Sequence, residues 1–254
     1  MTLRLLISND DGIAAEGLQA LTAAVADLGE VWVVAPEHEQ SATSHSLSLR
    51  RPVRIRQVAE RTFAVDGTPA DNVYIGINHL MKGCRPDLVL SGINHGPNLA
   101  DDVIYSGTVA AAMEGALLGI PAIAFSLVTR RHFEFKEAAQ FARALVKAAV
   151  AAPAPGRMLL NVNIPAYPPL TGFQVTRLGR HSYGNDVVEK EDPRGRKYYW
   201  IGGTEYAHVK EPGTDVTCVH DDRQVSITPM ILDFTDHSLL GAVRGWSLEG
   251  YSSR

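Results

Sequence analysis

The residues of this chain with the most capacity for chemistry lie in short polar bursts, each placed directly after an apolar run. The first is Ser8-Asn9-Asp10-Asp11-Gly12, which ends the run from Leu3 to Ile7 in an amide, two adjacent carboxylates and a glycine. Successive side chains of a strand point to opposite faces, so Asp10 and Asp11 converge on one point only where the chain is already turning. Gly12 makes such a turn easy. Two like charges about 4 Å apart repel by roughly 1 kcal/mol in water and by several in a crevice. A divalent cation reverses that sign, and a shared proton also relieves the repulsion. The plainer reading of a bare Asp-Asp-Gly is a solvated strand-to-helix turn, and the later bursts shift that balance.

The second burst, Glu37 to Ser48, holds Ser41, Thr43, Ser44, His45, Ser46 and Ser48. The third begins at Ser91-Gly92-Ile93-Asn94-His95-Gly96-Pro97-Asn98 and continues through Asp101-Asp102 to Ser106-Gly107-Thr108. Together the bursts offer oxygen: the carboxylates of Asp10 and Asp11, the Ser41 hydroxyl, and the amide oxygens of Asn94 and Asn98. Such a set suits a hard cation, Mg²⁺, Mn²⁺ or Ca²⁺, and does not favour zinc. Ser106-Gly107-Thr108 opens a helix, where free N–H groups and the helix dipole favour an anion and Gly107 allows close approach; an ordinary Ser or Thr cap is the plainer account. A cation site and an anion site on one sheet edge point to metal-assisted phosphoryl chemistry. His45 and His95 could donate protons or simply be exposed, and Asp101-Asp102 reads better as a solvated turn than as ligands.

The elements that must position these residues are legible from periodicity. Leu18, Leu21, Val25 and Leu28 recur at helical spacing up to Gly29, and Val31 to Ala35 is a second buried strand closed by Pro36. Strand, helix and strand over this distance form a βαβ unit, hence a parallel sheet. Val53 to Arg56 and Thr62 to Val65 read as an antiparallel pair. Thr68-Pro69-Ala70-Asp71 is a helix start with its apolar face running on to Met81. Asp87 to Leu90 is a strand with a loop from Ser91, Val109 to Leu118 an Ala- and Gly-rich helix, Ala122 to Leu127 a strand, Phe133 to Ala152 a helix, and Leu159 to Pro165 a strand. The expected fold is α/β: a Rossmann-like, mostly parallel sheet flanked by helices, spanning residues 1–165 and carrying the metal and phosphate sites. Residues 166–254, with prolines, the aromatic run Tyr198-Tyr199-Trp200 and short strands such as Val225 to Thr228, are expected to form a β-hairpin-rich extension that serves oligomerisation. The three bursts then leave carboxyl ends of strands and meet in one crevice.

Composition narrows the function classes. At 254 residues, 45% hydrophobic and 20% charged, the chain has the make-up of an ordinary globular domain. Net charge of −4 argues against a binder of nucleic-acid polymers. Cys84 and Cys218 are too few for a disulfide framework. With no secretory leader and no apolar run long enough to span a bilayer, the expectation is a cytoplasmic protein without a membrane partner. No Gly-x-Gly-x-x-Gly follows the first strand, Leu18 and Gln19 stand where a P-loop needs Lys and Ser or Thr, and no Gly-x-Ser-x-Gly elbow is present. An aspartyl-phosphate phosphatase and a nucleotide- or metal-binding regulator without turnover remain as alternatives.

Taken in order, Asn9-Asp10-Asp11-Gly12, Ser41-Ala42-Thr43, Gly67-Thr68-Pro69-Ala70-Asp71, Ser91 to Asn98 and Tyr105-Ser106-Gly107-Thr108-Val109 resemble the signature set of the SurE (survival protein E) family of nucleotidases. Lys197 to Trp200 and Val225 to Pro229 fit as well. The resemblance implies a divalent-metal-dependent phosphatase acting on nucleoside 5′- and 3′-monophosphates, with short polyphosphate as a further substrate. It implies one cation per subunit, Mg²⁺ or Mn²⁺ with Ca²⁺ able to occupy the site, held by Asp10, Asp11, Ser41 and Asn94. Asp10, Asp11 and Asn98 would be the catalytic set, and Asn98, Ser106, Gly107 and Thr108 the phosphate contacts. It also implies a homodimer or homotetramer built through the C-terminal extension. Every implied ligand position is occupied by the matching residue type, while Gln40 stands where many members carry a basic residue.

Overall fold

The opening apolar run is a strand, β1 (Arg4–Ser8), in a computed structural model that describes residues 2–129, 131–152, 157–167, 169–183, 187–201 and 206–248. In chain order there follow α1 (Glu16–Val25), β2 (Glu30–Pro36), the hairpin β3 (Ile55–Ala59) and β4 (Thr62–Val65), and α2 (Pro69–Ile75). Then come β5 (Leu88–His95), α3 (Gly107–Leu117), β6 (Ala122–Val128), α4 (Lys136–Ala151) and β7 (Leu159–Pro165). Among the described residues nine strands form one sheet in the order β3-β4-β2-β1-β5-β6-β7-β13-β8, with β8 (Phe173–Val175) and β13 (Val225–Pro229) closing one side. The β2, β1, β5, β6 and β7 ladders are all parallel. After β2 on one side of β1 the chain returns to place β5 on the other, so the strand order reverses at β1. A crevice outside the carboxyl ends of the strands opens at such a point.

Each face of the sheet has its own core. Leu5, Ile7, Leu90, Ile123, Phe125, Val162 and Ile164 pack under α1 and α4 through Leu18, Leu21, Ala142 and Val146. Leu6, Val34, Val89, Ala122, Ala124 and Leu159 pack under α2 and α3 through Val73, Val109, Ala112 and Ala116. The small residues of α3 let it lie close to the sheet: a Cβ on Gly115 would stand 2.8 Å from Val89 Cγ2.

Several expected boundaries move: the strand expected at Val53 to Arg56 is Ile55–Ala59, the helix expected to run to Leu28 ends at Val25, and three further cases follow. The loop expected from Ser91 is strand: β5 continues to His95, and its pairing with β6 slips between Ser91 and Asn94. Gly92 (φ +120°) sits in that bulge, where any Cβ would overlap the Phe125 carbonyl oxygen. Ladder bonds are made by the backbone, so polar residues continue the strand once a bulge admits them. The last expected helix starts at Lys136, not Phe133, because the Phe133 and Phe135 rings stack (centroids 6.2 Å apart, 9° between planes) and side chains two apart on a helix do not face each other. The helix from Pro69 keeps its α form to Ile75 and continues as a π-helical turn, Gly76–Leu80. Its start is as expected, a capping box between Thr68 and Asp71 with Pro69 in the first turn.

Beyond β7 the chain supplies β9 (His181–Tyr183) paired antiparallel with β12 (Tyr206–His208), and the hairpin β10 (Val187–Glu191) and β11 (Lys197–Ile201). Two short helices, α5 (Asp215–His220) and α6 (Leu240–Arg244), flank β13 in sequence. Among the described residues no helix is long and apolar enough to cross a membrane.

Helix α1 approaches β5 so closely that a Cβ on Gly17 would overlap the Ile93 carbonyl oxygen. Gly17→Ala is therefore expected to push α1 off the strand that carries Asn94, at a cost of about 2–3 kcal/mol in urea unfolding, against less than about 0.5 kcal/mol for Gln19→Ala on the exposed side. Equal stability of Gly17→Ala and wild type would contradict this packing.

Candidate active site

Past the end of β1 the chain turns at Gly12 (φ +105°), and Asn9 Nδ2 donates to the Gly12 carbonyl at 2.9 Å to hold the turn. The turn separates the two aspartates. Asp10 runs under the first turn of α3 and is 5% exposed. The Thr108 hydroxyl donates to Asp10 Oδ1. A Cβ on Gly107 would stand 2.8 Å from Asp10 Cβ and 2.9 Å from Asp10 Oδ2, so only glycine lets the helix start this close. Burial lifts the Asp10 carboxyl to about 6; the Thr108 bond works against the rise and the charge of Asp11 adds to it. Asp11 lies against the end of β5, where Oδ2 accepts from the His95 backbone N–H at 3.2 Å and is 2.9 Å from His95 Nδ1. The pairing of its ring with the Asp11 carboxylate raises the His95 pKa, with burial opposing it. The imidazole is held edge-on by Phe133 and Phe135, at 4.9 and 4.8 Å between centroids.

The Glu37 to Ser48 loop is tied to both neighbours. Gln40 N donates to the Asp10 carbonyl at 2.7 Å, Ser44 N to the Tyr105 carbonyl at 3.1 Å, and His45 Nε2 is 2.7 Å from Glu114 Oε2 on α3. Ser41 is thereby carried to the aspartates, its hydroxyl donating to Glu39 Oε1 at 2.7 Å and its lone pairs left to accept or to ligate. Asn94, which follows the bulge in β5, donates Nδ2 to the Gly96 carbonyl at 2.9 Å, and its Oδ1 is the acceptor end of the amide. Asn98 is buried and donates Nδ2 to Ser126 Oγ at 2.8 Å. Ser106 is the N-cap of α3, its Oγ accepting from Val109 N at 3.0 Å.

Asp10, Asp11, Ser41, Asn94, Asn98 and Ser106 line one cavity of about 570 Å³, together with Glu39, His95, Asp102 and Tyr105. Gly107 and Thr108 are not on its wall; they back Asp10 from behind. His45 and His95 are engaged with carboxylates rather than loose on a loop. Asp101 and Asp102 belong to a 3₁₀ turn, Ala100–Ile104, and Asp102 Oδ2 is 3.4 Å from His181 Nδ1. Sequence reasoning passed over the pairing of Thr108 with Asp10 and of His95 with Asp11, 98 and 84 residues apart, for which no local pattern exists.

The residues present fit a hard divalent cation. The donors are two carboxylates, a hydroxyl and an amide oxygen, one carboxyl is pushed up by burial and by its neighbour's charge, and a counter-charge would relieve both effects. Removing the Thr108 hydroxyl deletes the largest of the interactions that hold Asp10 down, backbone hydrogen bonds supplying the rest. Thr108→Val is expected to raise the Asp10 carboxyl beyond about 6 and Thr108→Ser to leave it in place, read by NMR titration in EDTA. An unchanged titration in the valine variant would exclude the bond.

A mostly parallel α/β sheet with an acidic, oxygen-lined cavity at its reversal point defines a Rossmann-like protein with its site at the carboxyl ends of the strands. Within that class the chain belongs to the Survival protein SurE family, whose family model matches residues 5–185. It is 63% identical over 249 residues to the 5′-nucleotidase SurE of Myxococcus xanthus, covering 98% of this chain and 95% of that protein. It is 49% identical over 249 residues to the 5′-nucleotidase SurE of Vibrio parahaemolyticus, covering 97% of this chain and 95% of that one. Among solved structures, the SurE protein of Aquifex aeolicus superposes with a TM-score of 0.84 at 40% identity, covering 95% of this chain and 98% of that chain.

Proposed function

We infer that this chain is a 5′-nucleotidase, a phosphoric monoester hydrolase that splits nucleoside 5′-monophosphates into nucleoside and phosphate. The observation that carries the reading is the meeting of Asp10, Asp11, Ser41 and Asn94 in the same cavity as Asn98 and Ser106, in a family whose curated members are named 5′-nucleotidase SurE. In this reading Asp10, Asp11, Ser41 and Asn94 hold one Mg²⁺ or Mn²⁺ ion. A bound divalent ion supplies charge neutralisation at a phosphate oxygen and makes water more acidic.

The protein's own groups do the positioning. Thr108 and Gly107 fix the Asp10 carboxylate from behind, and His95 fixes Asp11. Asn98 spends one Nδ2 proton on Ser126 and keeps the other for a phosphate oxygen. The start of α3 at Ser106 adds the positive end of an 11-residue helix. The metal is resident and the phosphoryl group transient, so loss of a ligand and loss of a phosphate contact are separable in metal affinity. Nucleoside 3′-monophosphates and short polyphosphate belong to the same proposal as further substrates.

Assembly is proposed through the extension. Tyr199, Trp200 and Ile201 on β11, and Ile231, Phe234, Val243 and Trp246 further on, are exposed apolar residues. They form the contacts of a homodimer or homotetramer, to be counted by light scattering of the eluted protein.

Asp10→Asn and Asn94→Ala are each expected to lower Mn²⁺-dependent phosphate release from AMP by about 10³-fold, with the urea midpoint close to wild type. Gly107→Ala is expected to lower it by about 10²-fold, because the added methyl displaces Asp10 while the helix itself gains propensity. EDTA abolishes release and Mn²⁺ restores it. Full activity of the first two variants, or of wild type in EDTA, would remove the metal site and with it this mechanism.

A further inference from the structure

Strand β7 reads Leu159-Leu160-Asn161-Val162-Asn163-Ile164-Pro165, and its alternation is sharp. Val162 and Ile164 enter the core under α1 and α4, while Asn161 and Asn163 point to the opposite face, both 0% exposed. On the neighbouring strand β6, Ser126 is the register partner of Asn163 and is also 0% exposed. Carrying two buried amides and a hydroxyl in central strands costs stability unless each finds partners. The side-chain hydrogen bonds they make go to a single residue of the active-site wall, with Asn161 Oδ1 left without a partner. Asn98 N–H donates to Asn163 Oδ1 at 2.9 Å, and Asn163 Nδ2 donates back to the Asn98 carbonyl at 2.9 Å. Asn161 Nδ2 donates to that same carbonyl at 2.8 Å, and Asn98 Nδ2 donates to Ser126 Oγ at 2.8 Å.

Asn98 has left the sheet by this point, after Gly96 (φ +140°) and Pro97, and has no strand beside it to satisfy its buried peptide groups. Asn163 takes the place of that strand. Its amide reads the N–H and the C=O of one residue together, the exchange that a ladder partner would make. With both main-chain groups held, the Asn98 backbone is pinned, and Ser126 Oγ anchors its side-chain amide by accepting from Nδ2. The free Nδ2 proton is left for the cavity.

We propose that Asn163, assisted by Asn161 and Ser126, is a positioning residue for phosphate: it acts through Asn98 and has no part in holding the cation. This rests on the reading of Asn98 as a phosphate contact. Asn163 was legible only as part of a strand, and its partner lies 65 residues away.

The test combines Asn163→Ala, Ser126→Ala, Asn98→Ala and the Asn163→Ala/Asn98→Ala double variant, each compared with wild type. Four quantities are read: urea midpoint, Mn²⁺ affinity by calorimetry, kcat and KM for AMP, and the inhibition constant of inorganic phosphate. In folded Asn163→Ala, phosphate inhibition is expected to weaken about tenfold and kcat/KM to fall about 100-fold, with Mn²⁺ affinity within about twofold of wild type. In the Asn98→Ala background the second substitution is expected to add less than about twofold, the signature of acting through that residue. Ser126→Ala, which removes one oxygen and leaves the peptide bonds of Asn98 intact, is expected to weaken phosphate inhibition about threefold or more and covers the case in which Asn163→Ala does not fold.

The proposal is overturned by unchanged phosphate inhibition in folded Asn163→Ala or, failing that variant, in Ser126→Ala. It is overturned equally by loss of Mn²⁺ affinity in step with kcat, or by fully additive effects in the double variant. Failure of the nucleotidase reading shows separately, as wild type that releases no phosphate from AMP with Mn²⁺. In that event phosphate affinity of wild type and Asn163→Ala by calorimetry decides the positioning role alone: a weakened affinity supports it, and an equal or undetectable affinity in both overturns it.

Discussion

A carboxylate carried almost out of water at the end of the central strand, and pressed against the first turn of a helix, is the contact on which the site depends. Asp10 is 5% exposed, and burial alone drives its carboxyl toward the neutral form. The Thr108 hydroxyl opposes that drive, and Gly107 removes the one atom that would keep helix and carboxylate apart. The contact therefore demands that α3 be seated close and rigidly on the sheet. Its Ala- and Gly-rich sequence meets that demand, with Gly115 against Val89 and the small Ala122 and Ala124 of β6 beneath the helix. A bulkier α3 would bury as much apolar area and lose the site.

The same face of the sheet changes character along its strands. Under α2 and α3 it is apolar: Leu6, Val89, Ala124 and Leu159. One or two alternations further toward the carboxyl ends it becomes Ser8, Ser91, Ser126, Asn161 and Asn163, all buried. The opposite face stays apolar to the end, with Ile7, Leu90, Leu127 and Ile164. The polar stripe lies where loops cross the sheet edge, and buried loop backbone needs hydrogen-bond partners that no strand provides. Asn161, Asn163 and Ser126 of this stripe bond the loop residue Asn98, while Ser8 Oγ and Ser91 Oγ make no hydrogen bond within the protein.

The loops gain their precision from these attachments. Ser41 is on an exposed segment, yet Gln40 is bonded to Asp10, Ser44 to Tyr105, and His45 to a buried glutamate of α3. Each tether joins the serine's loop to an element that lines the same cavity or backs it. A displacement of α3 would accordingly move this loop and the Asp10 contact together.

Much was decided locally, in the chain itself. The apolar run Leu3 to Ile7, the strand Leu159 to Pro165, the Thr68 to Asp71 capping box, the Ser106 cap and the turn at Gly12 depend on residues within a few positions of one another, and each is realised where the sequence places it. The ordered motifs were enough to mark the family. Where local reading failed, backbone pairing or ring stacking overrode side-chain polarity, as at Ser91 to His95 and at Phe133. What only the tertiary structure decided is which distant groups share a hydrogen bond: Thr108 with Asp10, His95 with Asp11, Asn163 with Asn98. Those pairs exist because β5 lies beside β1 and the register of β6 and β7 brings Ser126 level with Asn163. Strand order and register are set by the summed packing of two cores, a property of the whole chain that leaves no mark on any short stretch of it.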